Sequence, residues 1–186
     1  MKTIFYTGKG DNGKSNLYNT SHRLPKDNLI FDLLGTLDEL NSWLGLCGAS
    51  FDSFNSHNTQ IIKNSLEQTQ ENIFIIQAEV AGADKKLSRV HLQTLEKSIK
   101  EISKELNPIE SFFLPGGSVL SSFLDISRTV ARRCERIYIK SCNINILPKS
   151  EISGIYLNRL SSFLYILVRF VNQHNNITEK APLYNS

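Results

Sequence analysis

Residues 8–15 read Gly8-Lys9-Gly10-Asp11-Asn12-Gly13-Lys14-Ser15, the G-x-x-x-x-G-K-S spacing of a phosphate-binding loop. Glycines let a backbone curl until its N–H groups converge on an anion, and Lys9 and Lys14 add cations, so this stretch suits a triphosphate. In a strand–loop–helix unit the N-terminus of the next helix shares that work. Here Asn16 to Pro25 has no helical period, is rich in Asn, Ser and Thr, and ends in proline. The pattern therefore predicts the ligand without the usual architecture behind it.

A second constellation lies in Ser127-Arg128-Thr129-Val130-Ala131-Arg132-Arg133-Cys134-Glu135-Arg136. On a helix, Arg128, Arg132, Glu135 and Arg136 share neighbouring faces through steps of three and four. Planar guanidinium forks grip carboxylates and phosphates in pairs, so such a stripe can hold a polyphosphate or cross an oligomer interface. A solvated face laced with surface ion pairs has the same spelling. Asn158 and Arg159 interrupt an otherwise apolar helical run, and Asp38 and Glu39 do the same in Gly35–Ser42; alone, each reads as a partly exposed helix residue. Phe112-Phe113-Leu114-Pro115-Gly116-Gly117 puts two aromatic rings on a loop, where they either cap a core or line a pocket for a flat apolar ligand.

Other chemistries are poorly supplied. No E-x-x-H pair marks a di-iron bundle, and His22, His57, His91 and His174 are too scattered for a zinc site or a Ser/His triad. Cys134 beside Arg133 reads first as a small core-facing residue. Three cysteines without C-x-x-C spacing argue for a reducing compartment and against a disulfide framework. With a net charge of +3 and no basic block, nucleic-acid binding is not expected. No run approaches the ~20 apolar residues of a membrane span, and no leader pattern is visible, so the expectation is a soluble, cytoplasmic protein.

The elements that must position these residues are helical. At 186 residues one domain is the simplest reading. Residues 1–28 are irregular by pattern, with one short β-prone run at Thr3–Thr7. Leu33, Leu34, Leu37, Leu40, Trp43, Leu44 and Cys47 predict a first helix from Leu29 to about Gly48. Ile61, Ile62, Leu66, Ile73, Phe74, Ile76 and Val80 predict a second, from about Thr59 to Gly82. Ser88 caps a third that runs to Leu106 before Asn107-Pro108; a fourth spans about Val119 to Ser141, and a fifth runs from Ser150 to about Asn172. Beyond His174 the chain is polar and expected to be loose. The predicted fold is all-α: a five-helix bundle over 29–174 behind an N-terminal loop segment, 1–28.

Considered together, these segments resemble the cobalamin adenosyltransferases of the PduO type. Five blocks match in order: Tyr6-Thr7 through Gly10-Asp11-Asn12-Gly13 to Leu17; Arg23 with Lys26-Asp27; Gly35-Thr36-Leu37-Asp38-Glu39-Leu40-Asn41-Ser42; Phe112–Ser118 with Ser127–Arg136; and Tyr156-Leu157-Asn158-Arg159-Leu160-Ser161. The resemblance implies a ferritin-like homotrimer of five-helix bundles with ATP at the subunit interfaces. The implied reaction moves the 5′-deoxyadenosyl group of ATP to the cobalt of cob(I)alamin and releases triphosphate. A corrinoid reductase and an adenosylcobalamin-dependent enzyme are the implied protein partners.

Carried over, Thr7, Gly8, Lys9, Gly10, Asp11, Gly13, Lys14 and Ser15 would wrap the phosphates, with Lys26, Arg132 and Glu135 around ATP and magnesium. The Mg²⁺ would ride on the ATP phosphates, with Glu135 as the candidate protein contact. Asn158 would meet the nucleoside, Asp38 and Arg128 would form an intersubunit ion pair, and Phe112 would press on the lower corrin face to exclude an axial ligand. The chain departs from the family pattern at Lys9, at Lys14-Ser15, at Asn19-Thr20, and at Ser162, where Asp is common. The missing carboxylate at 162 puts the network around Asn158 and Arg159 in question. Two alternatives remain: a phosphate-loop ATPase or kinase, which needs a parallel sheet, and a non-catalytic ATP- or cobalamin-binding member of the same fold.

Overall fold

The computed structural model describes residues 6–51, 54, 58–109, 111–148 and 150–183. Five helices carry the architecture: α1 (Leu29–Ser50), α2 (Thr59–Val80), α3 (Arg89–Ser103), α4 (Val119–Asn143) and α5 (Glu151–His174). They form where apolar side chains recur every three to four residues: Ile30, Leu33, Leu37, Leu40, Leu44 and Cys47 of α1 all point into the core. Local chemistry sets the starts. Asn28 caps α1 by accepting from Ile30 N at 3.1 Å. At α4 the Ser118 hydroxyl accepts from Ser121 N (3.1 Å) while Ser118 N donates back to Ser121 Oγ (2.8 Å). His91 fills the reciprocal position for Ser88 at α3, accepting at Nδ1 from Ser88 N at 3.0 Å.

Packing follows the expected bundle. α4 lies between α5 and α1, α3 packs on α5, and α2 packs on α1. Cys47 meets Ser127 and Glu39 meets Arg133, so α1 and α4 are antiparallel. Two polar pairs cross the interior: Asn72 Nδ2 donates to the Tyr156 hydroxyl at 3.0 Å, and Ser153 Oγ donates to Glu79. In α2 the helical reading counted Ile61 and Phe74 as inward, yet both lie on the outer face, 60% and 63% exposed. The third helix ends at Ser103 rather than Leu106, and 104–106 turn toward Asn107-Pro108.

The N-terminal segment is less irregular than its sequence suggests. Lys14–Asn16 (β1) pairs antiparallel with Arg23–Pro25 (β2), Ser15 opposite Leu24. Three-residue strands are too short to reveal a period of two, which is why pattern reading misses them. Thr3 to Phe5 of the β-prone run lie outside the described residues, and Tyr6 and Thr7 belong to no strand. Among the described residues this hairpin is the only sheet, so the phosphate-loop spelling is followed by a strand and no parallel sheet exists behind it. Leu17 and Leu24 pack against the core, and Tyr18 N donates to Ala81 O at 3.1 Å, docking the hairpin at the end of α2.

The bundle thus has two differently furnished ends. One carries the hairpin, the end of α2 and the start of α5, joined where Ser153 meets Glu79. The other carries the start of α4, the ends of α1 and α5, and the loop 107–118; there the Phe54 ring packs at a tilt against Phe170, 6.1 Å between centroids. Residues 175–183, expected to be loose, return over that loop, and Leu114 N donates to Lys180 O at 2.8 Å. Among the described residues no helix is long and apolar enough to cross a membrane.

Candidate active site

At the α4-start end a cavity of about 1100 Å³ opens between α4, α5, the loop and the tail. α4 supplies Arg128 and Arg132, one turn apart and therefore on one face. α5 supplies Ser161, Ser162, Tyr165 and Ile166, and the loop supplies Phe112 and Phe113. Phe112 is 83% exposed at the rim. A ring of that size left in water gains from any apolar surface laid over it, as a flat ligand would supply. Phe113 does a different job, half-buried with the Arg169 guanidinium 5.1 Å from its ring centroid. Arg128 is held by Asp125, Nε to Oδ1 at 2.9 Å, and burial pushes the Tyr165 phenol up, keeping it a neutral donor.

Further along the same face lies Glu135, seven residues from Arg128 and so ~10 Å along the helix axis. Its Oε1 accepts from Asn158 Nδ2 at 2.8 Å; Asn158 Oδ1 accepts from Arg159 (3.0 Å), whose Nε donates to Glu96 at 3.1 Å. This chain across α4, α5 and α3 is complete without a carboxylate at position 162, where Ser162 faces the cavity instead. The pairing Glu135–Asn158 orients the carboxylate and leaves the second carboxylate oxygen available to a ligand.

The glycine-rich loop closes on itself. Asp11 N donates to Gly8 O (3.1 Å), Gly13 N to Gly10 O (3.2 Å) and Lys26 N to Gly13 O (2.8 Å). Gly13 sits at φ 73°, a conformation that costs an L-residue roughly 1–2 kcal/mol. Lys26 folds over Gly10: a Cβ there would stand 3.0 Å from its Nζ. Lys9 and Lys14 are exposed, Ser15 is half-buried in β1, and Thr7 Oγ1 accepts from Lys9 N at 3.4 Å. The Arg23 guanidinium, a residue to which sequence reasoning assigned no role, donates to the carbonyls of both Lys9 and Lys14 and so pins the two sides of the loop. Its partners are backbone atoms, which no side-chain pattern reveals.

Residues 5–171 match the family model described as cobalamin adenosyltransferase. The chain belongs to the cobalamin adenosyltransferase family. A corrinoid adenosyltransferase from Citrobacter freundii is 33% identical over 88% of this chain and 92% of its own length. Corrinoid adenosyltransferase PduO of Salmonella typhimurium is also 33% identical, over 96% of this chain, which spans about half of that relative (54%). The solved structure of a variant PduO-type ATP:corrinoid adenosyltransferase from Lactobacillus reuteri, complexed with cobalamin and ATP, superposes with a TM-score of 0.83 at 26% identity; the match covers 98% of this chain and 100% of that one.

Within this family member the candidate residues fall into three groups. Phe112, Arg128 and Arg132 share the cavity; Glu135 and Asn158 are bonded one to two turns away; Thr7 to Ser15 gather with Lys26 at the hairpin end. Asp38 is exposed on α1 and does not meet Arg128 within the chain, where Asp125 takes that role and the neighbouring Glu39 bonds Arg133 instead. Cys134 lies in the core, as its spacing suggested, and burial pushes its thiol up to about 12 and that of Cys47 up to about 11. His57 lies outside the described residues, and among those described no three His, Cys, Asp or Glu side chains gather to hold a metal.

Proposed function

We propose that this protein transfers the 5′-deoxyadenosyl group of ATP to the cobalt of cob(I)alamin, giving adenosylcobalamin and triphosphate. The observation that carries the reading is the single face of α4 that presents Arg128 and Arg132 to a cavity of about 1100 Å³ under an exposed Phe112, with Glu135 and Asn158 bonded beyond it. Family membership supports it, as does a solved relative that holds both cobalamin and ATP. The electron pair on reduced cobalt attacks C5′, the C5′–O5′ bond breaks, and its electrons leave with the triphosphate. No general base is needed. The protein must hold C5′ in line and stabilise the departing charge, which accounts for a site rich in Lys and Arg and poor in His.

In this reading the corrin lies in the cavity, and Phe112 covers its lower face. Without an axial ligand there, cob(II)alamin is four-coordinate and easier to reduce. Thr7, Gly8, Lys9, Gly10, Asp11, Gly13, Lys14, Ser15 and Lys26 enclose the triphosphate with Arg132, and Asn158 meets the nucleoside. Magnesium bound with ATP would neutralise phosphate charge, and the Glu135 carboxylate would be its protein contact, since no cage of three His, Cys, Asp or Glu side chains gathers among the described residues. Because the glycine loop and the cavity sit at opposite ends of one bundle, the site is completed by a second copy in a homotrimer, with Asp38 of one copy meeting Arg128 of the next. A corrinoid reductase upstream, an adenosylcobalamin-dependent enzyme downstream and a reducing cytoplasm complete the picture, the last supported by three free cysteines.

The test is anaerobic. Protein, ATP, Mg²⁺ and chemically reduced cobalamin should yield a light-sensitive alkylcobalamin with one triphosphate per turnover. Folded protein that binds ATP yet forms no such product would contradict the proposal.

A further inference from the structure

The Phe112 loop is fastened from behind by a network that sequence reading assigned to a loose tail. Arg169 of α5 is only 6% exposed. Its Nε donates to Glu179 Oε2 at 2.9 Å, its NH1 donates to Asn107 O at 3.3 Å, and its plane lies against the Phe113 ring. One turn on, Asn172 is also buried; its Nδ2 donates to Gly116 O at 3.1 Å and to Glu179 Oε1 at 3.4 Å. A single carboxylate from the tail therefore neutralises a buried guanidinium and orients a buried amide. Those two groups in turn hold the loop at Asn107, Phe113 and Gly116, on both sides of Phe112. Beside this anchor a second cavity of about 700 Å³ opens, lined by Phe113, Arg169 and Glu179, so the loop has room to sink if the anchor is lost.

We propose that Glu179, acting through Arg169 and Asn172, is a positioning residue that sets the height of Phe112 over the corrin cavity. The inference rests on the function proposed above, but the anchor itself does not. Glu179 touches no reacting atom. Its removal leaves an uncompensated buried charge on Arg169 and frees the carbonyls at 107 and 116 from a fixed partner. The backbone bond from Leu114 to Lys180 then has nothing to hold the tail in register, and the aromatic ring beside it drops or swings. A displacement of ~1 Å in a positioning group is enough to cost a large factor in rate.

The experiment has two readouts on full-length protein. Hydrogen–deuterium exchange of ligand-free Glu179→Gln should speed at residues 107–118 while α1 and α2 exchange as in the wild type. With ATP and cob(II)alamin bound, the spectroscopic signature of four-coordinate cob(II)alamin should fall about tenfold or more, with ATP affinity held within about twofold. Glu179→Asp should recover part of both. If Glu179→Gln does not fold, the paired apolar replacement Arg169→Met with Glu179→Leu removes the charge problem and should lose the signature equally. Wild-type exchange at 107–118 in these variants, an unchanged signature, or an ATP affinity that falls as far as the signature would overturn the proposal. Faster exchange in a protein whose wild type makes no adenosylcobalamin would leave the anchor standing and sink only the function.

Discussion

The two ends of the bundle solve the same problem, holding a loop for a ligand, in opposite ways. At the hairpin end the glycine-rich loop is exposed, held by backbone hydrogen bonds and one arginine that reaches carbonyls. At the cavity end the loop is clamped by a buried ion pair, a buried amide and an aromatic stack, Arg169, Asn172, Glu179 and Phe113. On the proposed function, the difference follows from what each would touch. A triphosphate would carry enough charge to draw an exposed cationic loop around itself as it binds. A corrin face offers mainly apolar surface, so a ring proposed to exclude an axial ligand would have to be in place beforehand.

Substitutions at the two ends should therefore fail differently. The largest effect belongs to Arg132→Ala, which removes the guanidinium proposed to meet the leaving triphosphate; by analogy with lost oxyanion donors, kcat should fall by roughly 10²–10³ in the anaerobic assay. Phe112→Ala should cut cob(II)alamin-dependent turnover by about tenfold to a hundredfold yet leave ATP affinity within about twofold by calorimetry. Equal loss of ATP binding in that variant would erase the proposed division between the ends.

Glycine substitutions sharpen the contrast in stability. Gly117 sits at φ 120°, and a Cβ there would stand 2.2 Å from Asn172 Oδ1, a buried atom without a hydrogen-bond partner among the described residues. Gly117→Ala should lower unfolding free energy by about 1–3 kcal/mol, read from urea midpoints. Gly10→Ala meets only the flexible tip of Lys26 and should cost less than about 0.5 kcal/mol. A loss at Gly10 as large as at Gly117 would show the glycine loop to be as tightly built as the anchor.

A separate effect, confined to alkaline solution, is on pH dependence. Burial raises Cys134 from 9.0 to about 12 and Cys47 from 9.0 to about 11. The unfolded thiols ionise first, so the stability these groups contribute is complete below pH 9 and is lost as pH climbs through their folded values. Cys134→Ala should therefore show a shallower decline in stability than the wild type between pH 9 and 11, and parallel curves would refute the buried-thiol assignment.

Most of the fold could be read directly because its helices are long, capped and strongly periodic: Asn28, Ser88 and Ser118 all start helices where they stand. What escaped had a physical reason each time. The β1–β2 hairpin is too short to show alternation, and Phe74 looks like core until packing turns it outward. Arg128 and Arg132 were legible as one helix face and Phe112 as a loop aromatic, and the structure brings the three to one cavity. Arg169 was invisible because its carboxylate partner stands ten residues on in what spells a polar tail, and the i,i+3 pair of Arg128 with Asp125 was not singled out because it is one of several spacings the α4 arginines allow.

The measurement closest to the centre of this account is subunit complementation. Chains carrying Lys9→Ala with Lys14→Ala lack two cations of the glycine loop, and chains carrying Arg132→Ala lack the α4 guanidinium proposed to meet the triphosphate. If each site joins the glycine loop of one copy to the α4 face of another, randomly mixed oligomers of the two inactive variants should recover about a quarter of wild-type adenosylation, because that share of interfaces pairs an intact loop with an intact helix. Activity that stays at the level of the separate variants, in oligomers shown by mass to be mixed, would contradict it.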